Sequence, residues 1–328
     1  MKSYIPLFLG SLLAFAPAYA DEKHWITGTL DNDLFVGNDS GYTNGLYLSY
    51  FKAHSADQSP LQPDIFVKPL LWMLPDTKPT ATVNVYSYGQ TMATPSDITI
   101  EEPPLDEVPY SAALMLTNTF VEVHGSRADS VRTAFGFVGP IAGGETAQKV
   151  VHKIIGSPEP KGWHTQLGNE FIFQFSRGSI WRNWSSSNDH MDILTFAEGS
   201  LGTLESSVIG GAYFRYGRNL APSFMIPLLN RSRATNPGSI ANGWNIFAGL
   251  DAGYTFNLIY LDGNTFKNSR SIDYKHEQLG YTFGFAYSWS HMGISFAVSD
   301  LSVLTNERTK DSMKNMTQFG TLTLAFQL

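Results

Sequence analysis

The sequence contains no cysteine, which excludes a disulfide framework and any cysteine-ligated metal. Basic residues are outnumbered, 22 Lys and Arg against 29 Asp and Glu, for a formal charge of −7. A nucleic-acid binder needs a basic patch that releases counterions, and no basic stripe runs through this chain, so no nucleic-acid partner is expected. Beyond the first twenty residues there is no uninterrupted apolar run of about 18 residues, so no later helix is expected to cross a membrane. Stability must then come from packing and backbone pairing. If the chain meets a membrane, strands must carry it.

What is present begins with a leader. Residues 1–20 hold a single early lysine, an apolar run from Ile5 to Phe15, and Ala18-Tyr19-Ala20, the small-x-small pattern of a signal-peptidase site. The expectation is a signal peptide over 1–20 and one exported domain over 21–328.

Within that domain, segments with period-two polarity, the signature of a strand with unlike faces, lie at about 25–36, 42–54, 81–92, 111–124, 129–138, 165–177, 189–201, 205–217, 243–257, 275–288, 291–302 and 317–328. An even count, tight connections such as Gly125-Ser126-Arg127, and an alternating strand at the C-terminus point to an all-β fold, a transmembrane antiparallel β-barrel of 12 strands in a Gram-negative outer membrane. Closure is the physical reason, because in lipid an open sheet edge leaves backbone groups unpaired. A soluble β-sandwich also alternates. The aromatics at strand ends, Trp25, Tyr50, Phe51, Tyr254, Tyr287 and Trp289, suit interfacial girdles and favour the barrel.

Twelve strands place both termini in the periplasm, so the loops at about 37–41, 93–110, 139–164, 202–204, 258–274 and 303–316 are expected to face outward. In the third of these, Ala147, Val150, Val151 and Ile154 form one helical face ended by Gly156 and Pro158, which predicts a short helix packed on the barrel or lying in the lipid interface. The proline-bearing stretches 55–80 and 218–242 read as irregular periplasmic connections.

The unusual polar residues gather at the outward strand ends. The elements NDLF (32–35), YTNGL (42–46), YGQTMATPSD (88–97), FGFVGP (135–140) and GWHTQLGNE (162–170) resemble, in order and spacing, the outer-membrane lipid A 3'-O-deacylase family. The resemblance implies calcium-dependent hydrolysis of the ester that carries the 3'-linked acyloxyacyl chain of lipid A, at the outer-leaflet end of a monomeric barrel, with lipopolysaccharide and membrane lipid as its partners. It also implies His164 as general base, Asn32, Thr43 and Glu170 as further catalytic residues, and Asp33, Asn32 and Glu170 as calcium ligands. Two departures stand out. Asp106-Glu107-Val108-Pro109-Tyr110-Ser111 replaces a stretch like DRPYAG, and Gln90 and Thr91 occupy the third-strand region where the family's lysine would be sought.

The residue chemistry agrees with those roles. Histidine titrates near neutrality and can activate water, and carboxylate and amide oxygens suit a hard cation. Alone, Asp31-Asn32-Asp33 would read as a turn or strand-end cap, and the other seven histidines are read as structural. His164 and Glu170 would lie about 20 Å apart on a regular strand. Either the chain bends at Gly162 or Gly168, or Glu170 acts by orienting other groups. The rival readings are a passive porin, a structural or adhesive barrel, and an outer-membrane phospholipase, whose HxSNG-type serine motif is missing.

Overall fold

The computed structural model describes residues 23–32, 35, 44–54, 59–230, 233–303 and 318–328. The expected signal peptide, Asp33 and Thr43 lie outside them. Twelve antiparallel strands form a closed barrel in which each strand pairs with its sequence neighbours and the last pairs with the first. They are β1 (Lys23–Asn32), β2 (Asn44–His54), β3 (Ala81–Ala93), β4 (Ser111–His124), β5 (Arg127–Val138), β6 (Glu170–Ser185), β7 (Met191–Gly202), β8 (Glu205–Arg218), β9 (Trp244–Leu258), β10 (Glu277–Trp289), β11 (Met292–Val303) and β12 (Gln318–Gln327).

The period-two pattern becomes the wall of the barrel. In β1, Trp25, Thr27, Thr29 and Asp31 are buried on the lumenal side while Ile26 is exposed on the outer side. Around the wall, Leu48, Phe175, Phe214, Leu250, Phe283 and Phe326 likewise stand exposed on the outer face. Only hydrocarbon makes such a surface favourable.

The sixth strand differs from the sequence reading at both ends. It begins at Glu170 rather than near 165, and it continues to Ser185 rather than ending near 177. Residues Gly162–Thr165 form a 3-10 turn, the Leu167 N–H donates to the Tyr110 carbonyl, and the Gly168 N–H donates to Asn264 Oδ1 at 2.8 Å. These residues alternate in polarity, but their backbone bonds go to loops instead of a strand ladder.

The two proline-bearing connections also do more than link strands. Residues 219–230 and 233–243 turn inward as a plug with a short helix at Ile226–Asn230, flanked by 3-10 turns at Ala221–Ser223 and Pro237–Ile240. Phe224, Leu228 and Leu229 join Trp25, Phe51 and Ile180 in the main apolar cluster, so the core sits inside the periplasmic half of the barrel. Gly238 passes so close to the Trp25 ring that an added Cβ would lie 2.1 Å from it.

Residues 59–80 instead fold back on the outside of β3–β6 as a strap. The Leu61 N–H donates to Thr82 Oγ1 at 2.9 Å, Tyr86 OH to Asp64 at 2.6 Å, Thr133 Oγ1 to the Phe66 carbonyl at 2.8 Å, and Arg177 Nε to the Met73 carbonyl at 3.0 Å.

At the outer rim, Val108, Leu261, Ile272 and Tyr274 close over Ala93, and Leu167, Leu204 and Ile259 close over Ala113 and Val138. The lumen is thus capped from above and plugged from below. Between them it carries ion pairs, Arg132 with Glu198 at 2.6 Å and Arg233 with Asp31 at 2.9 Å.

Candidate functional site

The segment after β5 is directed by a glycine. Gly139 adopts φ +103°, and a Cβ there would lie 2.7 Å from the Asn169 nitrogen, so the chain must cross Gly168-Asn169 without a side chain. Asn169 Oδ1 then accepts the Ile141 N–H at 2.8 Å. The FGFVGP and LGNE stretches therefore meet at a single crossing. Beyond it, α1 (Gly144–Ile155) lies against the outer surface of β3 and β4. Gly144 abuts Ala112 and the Trp163 ring, Gln90 Nε2 donates to the Ala142 carbonyl at 2.5 Å, and Trp163 Nε1 donates to Gln148 Oε1 at 2.7 Å.

Trp163 is buried and anchors the turn, which leaves the next residue, His164, at the surface. His164 Nε2 lies 2.9 Å from Glu102 Oε1, and Glu102 Oε2 accepts from Arg270 Nη2 at 3.1 Å. Arg270 is itself held by the Pro103 carbonyl at 2.6 Å. The hydrogen bond with the Glu102 carboxylate raises the His164 pKa above its ordinary 6.5, and the same bond lowers that of Glu102. A histidine fixed by a carboxylate is the arrangement of an oriented base. Sequence reasoning missed both Glu102 and Arg270.

Glu170 is brought to a different task. It is buried on the lumenal register of β6, and its two carboxylate oxygens accept the Thr265 and Phe266 N–H groups at 3.0 and 3.1 Å. Asn264 adds a two-way bond with Gly168, donating to its carbonyl and accepting its N–H, both at 2.8 Å. Lys267 Nζ donates to the Asn169 carbonyl. Glu170 thus fastens the β9–β10 loop to the start of β6. The chain does leave strand geometry between His164 and Glu170, in the turn that ends at Thr165 and the loop-bonded stretch through Gly168, but the imidazole meets Glu102 while the Glu170 carboxylate meets Thr265 and Phe266.

Asn32 ends β1 on the outward register. Cross-strand pairing sets Asn32, Asn44, Met92 and Ala112 in one row around the outer wall. At about 4.8 Å per strand, Asn32 is about 14 Å along the wall from Ala112, the residue on which α1 and Trp163 rest. Asn44 Oδ1 is buried and, among the described residues, has no hydrogen-bond partner. Asn44 lies within YTNGL, but nothing in a lone amide marks it as a metal ligand.

As a calcium site the described residues fit in part. Among them no three His, Asp or Glu side chains converge, and Glu170 has both oxygens engaged. The orphaned Asn44 oxygen beside Asn32 is the donor that suits a hard cation. At the positions where a lysine was sought, Gln90 is tied to Ala142 and Thr91 is bonded to the Tyr260 hydroxyl inside the barrel. Of the remaining histidines, His152 and His276 each meet a backbone carbonyl at 2.7 Å, those of Pro158 and Thr255.

The family profile described as "Outer membrane protein LpxR" matches residues 7–328. Among solved structures, LpxR from Salmonella typhimurium aligns with a TM-score of 0.71 at 16% identity, over 92% of this chain and 99% of that one. The KdgM porin aligns at 0.37 with 6% identity over 93% and 99%, and the translocator domain of the autotransporter NalP from Neisseria meningitidis at 0.40 with 9% identity over 94% and 87%. No curated protein matches the sequence. The chain belongs to the LpxR family of Gram-negative outer-membrane proteins, the lipid A 3'-O-deacylase family that its rim motifs resemble.

Proposed function

We propose that this protein hydrolyses the ester linking the 3'-acyloxyacyl chain of lipid A, working as a monomer in the outer membrane after loss of residues 1–20. The observation that carries this reading is where the rim motifs meet. Trp163 and α1 gather outside the barrel wall, on the row that leads to Asn44 and Asn32, and His164 follows Trp163 in the same turn. Below that row the wall is apolar, with Leu46, Leu48 and Tyr88 exposed. A lipid resting there keeps its acyl chains in hydrocarbon, which avoids about 0.8 kcal/mol per CH₂ brought into water. A porin reading has to contend with a lumen occupied by the plug and capped by the outer loops.

In this reading His164 removes a proton from water as its oxygen bonds to the acyl carbon. Glu102 keeps the ring oriented and stabilises the imidazolium. The proton then passes to the departing sugar oxygen, which leaves a free 3'-hydroxyl and an acyloxyacyl carboxylic acid. Calcium held by Asn32, Asp33 and Asn44 would stabilise the negative charge developing on the ester oxygen. Thr43 would assist at the same strand end. Glu170 acts as a positioning residue that secures the loop beside His164.

The deciding experiment is expression in a Gram-negative host followed by mass spectrometry of lipid A. The expected result is one discrete loss, the 3'-linked acyl group together with its secondary chain. His164→Gln should slow the reaction ~10²–10⁴-fold, as removal of a general base does. Unchanged lipid A with the wild type in calcium-replete medium would refute the reading.

A further inference from the structure

Burial along α1 runs against the usual rule for a surface helix. The residues that face the barrel are Gly144, Gln148 and His152, spaced four apart and buried. Two of them are polar, held by Trp163 Nε1 and the Pro158 carbonyl. With about 100° per residue, Val150, Val151 and Ile154 fall on one flank of that line, and Glu145, Lys149 and Lys153 fall on the other. The apolar flank is uncovered, with Ile154 77% and Val150 53% exposed. The charged flank is organised, since Lys149 lies 2.9 Å from Glu145 and 3.8 Å from Glu159.

The occupant of the apolar flank is indicated by what adjoins it. The helix stands outside the wall, against the outward side of Ala112 on β4. Just before it, exposed Ile141 leads from Phe137, which packs edge-to-face on Phe171. Both phenylalanines belong to the exposed outer surface of β5 and β6, the face that a barrel presents to lipid. The apolar flank therefore continues the lipid-facing belt past the end of the strands. Helices with one apolar and one charged side lie in the membrane plane, the apolar side about 5–10 Å into the headgroup and acyl boundary.

We infer that α1 is an interfacial helix of the outer leaflet, with Val150, Val151 and Ile154 immersed among acyl chains and the Lys149 and Lys153 flank at the level of the anionic headgroups. The wall fixes its rotation through small and polar residues, and the bilayer takes the side that a soluble protein would bury. This holds whether or not the rim carries the proposed hydrolysis.

The chain has no cysteine, so single reporters can be introduced without background. Val150→Cys, Ile154→Cys and Lys153→Cys would each carry an environment-sensitive fluorophore on the full-length protein, reconstituted in vesicles of lipopolysaccharide and phospholipid. Heat-modifiable migration checks assembly, and Val151→Cys replaces either apolar variant that does not fold. The expected result is strong quenching at 150 and 154 by lipid-borne spin labels, with iodide quenching several-fold weaker there than at 153. Equal iodide quenching at all three positions would overturn the inference. Protection of 150 and 154 from both quenchers would overturn it as well, because it would mean that a second copy or another protein covers the flank.

Discussion

Arg233 of the lumenal plug grips Asp31 of β1 at 2.9 Å, one residue before Asn32. The contact joins a periplasmic connection to the outer end of the strand that carries the rim motif. Asp31 is fully buried and also accepts from Thr321 Oγ1 at 2.7 Å, while the guanidinium sits 4.5 Å above the Phe319 ring. Arg233→Met would remove one cation from a buried carboxylate, and breaking a buried pair costs up to about 3–5 kcal/mol. A lowered urea midpoint for barrel unfolding is the expected readout. Adding Asp31→Asn should restore most of the loss, and simple additivity of the two changes would show that the pair is not coupled.

A pH profile tests the His164–Glu102 contact. The raised pKa of His164 means that the contact is fully formed below pH 6.5 and is lost as pH rises through the raised value. A base must be neutral, so the acid limb of the activity profile should lie above pH 6.5, the ordinary imidazole value. Glu102→Gln removes the carboxylate that raises it and should move the limb to lower pH. An unmoved limb would separate Glu102 from the base.

Glu170 can be assigned by calcium titration. As a fastener of two N–H groups, Glu170→Gln loses one charge-assisted bond of about 1.5–3 kcal/mol. It should lower kcat as Asn264→Ala does, with the calcium requirement unchanged in both. A calcium requirement raised only in Glu170→Gln would make Glu170 a ligand instead.

Gly139 admits no side chain, since φ is +103° and a Cβ would lie 2.7 Å from the Gly168–Asn169 peptide. Gly139→Ala should displace the crossing and with it α1 and His164. The expected outcome is loss of deacylation and new protease cleavage within 139–169 in a barrel that still shows heat-modifiable migration. Wild-type activity would show that the crossing does not hold the site.

The strands were legible because lipid on one side and lumen on the other impose a period of two on every crossing, and β4 matches its expected bounds, 111–124. The start of β6 was not, because residues 165–169 alternate in polarity while their backbone partners, Tyr110 and Asn264, come from distant loops. The same limit hid Glu102 and Arg270. They lie 62 and 168 residues along the chain from the groups they engage, and neither sits in a recognisable motif. The face of α1 was visible in its spacing, but its direction was not. Periodicity reports that two media exist without saying which one is protein.

The strap over β3–β6 bears on how this barrel enters the membrane. Beneath and beside it, the outward side of the wall carries Asp129, held by Arg127 at 2.7 Å and by Arg177, and Glu122 near His124 at 3.4 Å. Arg177 is further secured by the strap through Met73. Basic groups facing bare hydrocarbon cost about 2–4 kcal/mol apiece at mid-membrane, less toward the interface, and carboxylates cost less again. A nascent barrel with residues 59–80 undocked would have to cover that charge in some other way. Insertion is therefore cheapest when the β2–β3 connection settles on its strands before lipid reaches them, which couples biogenesis to a segment that lies wholly outside the lumen.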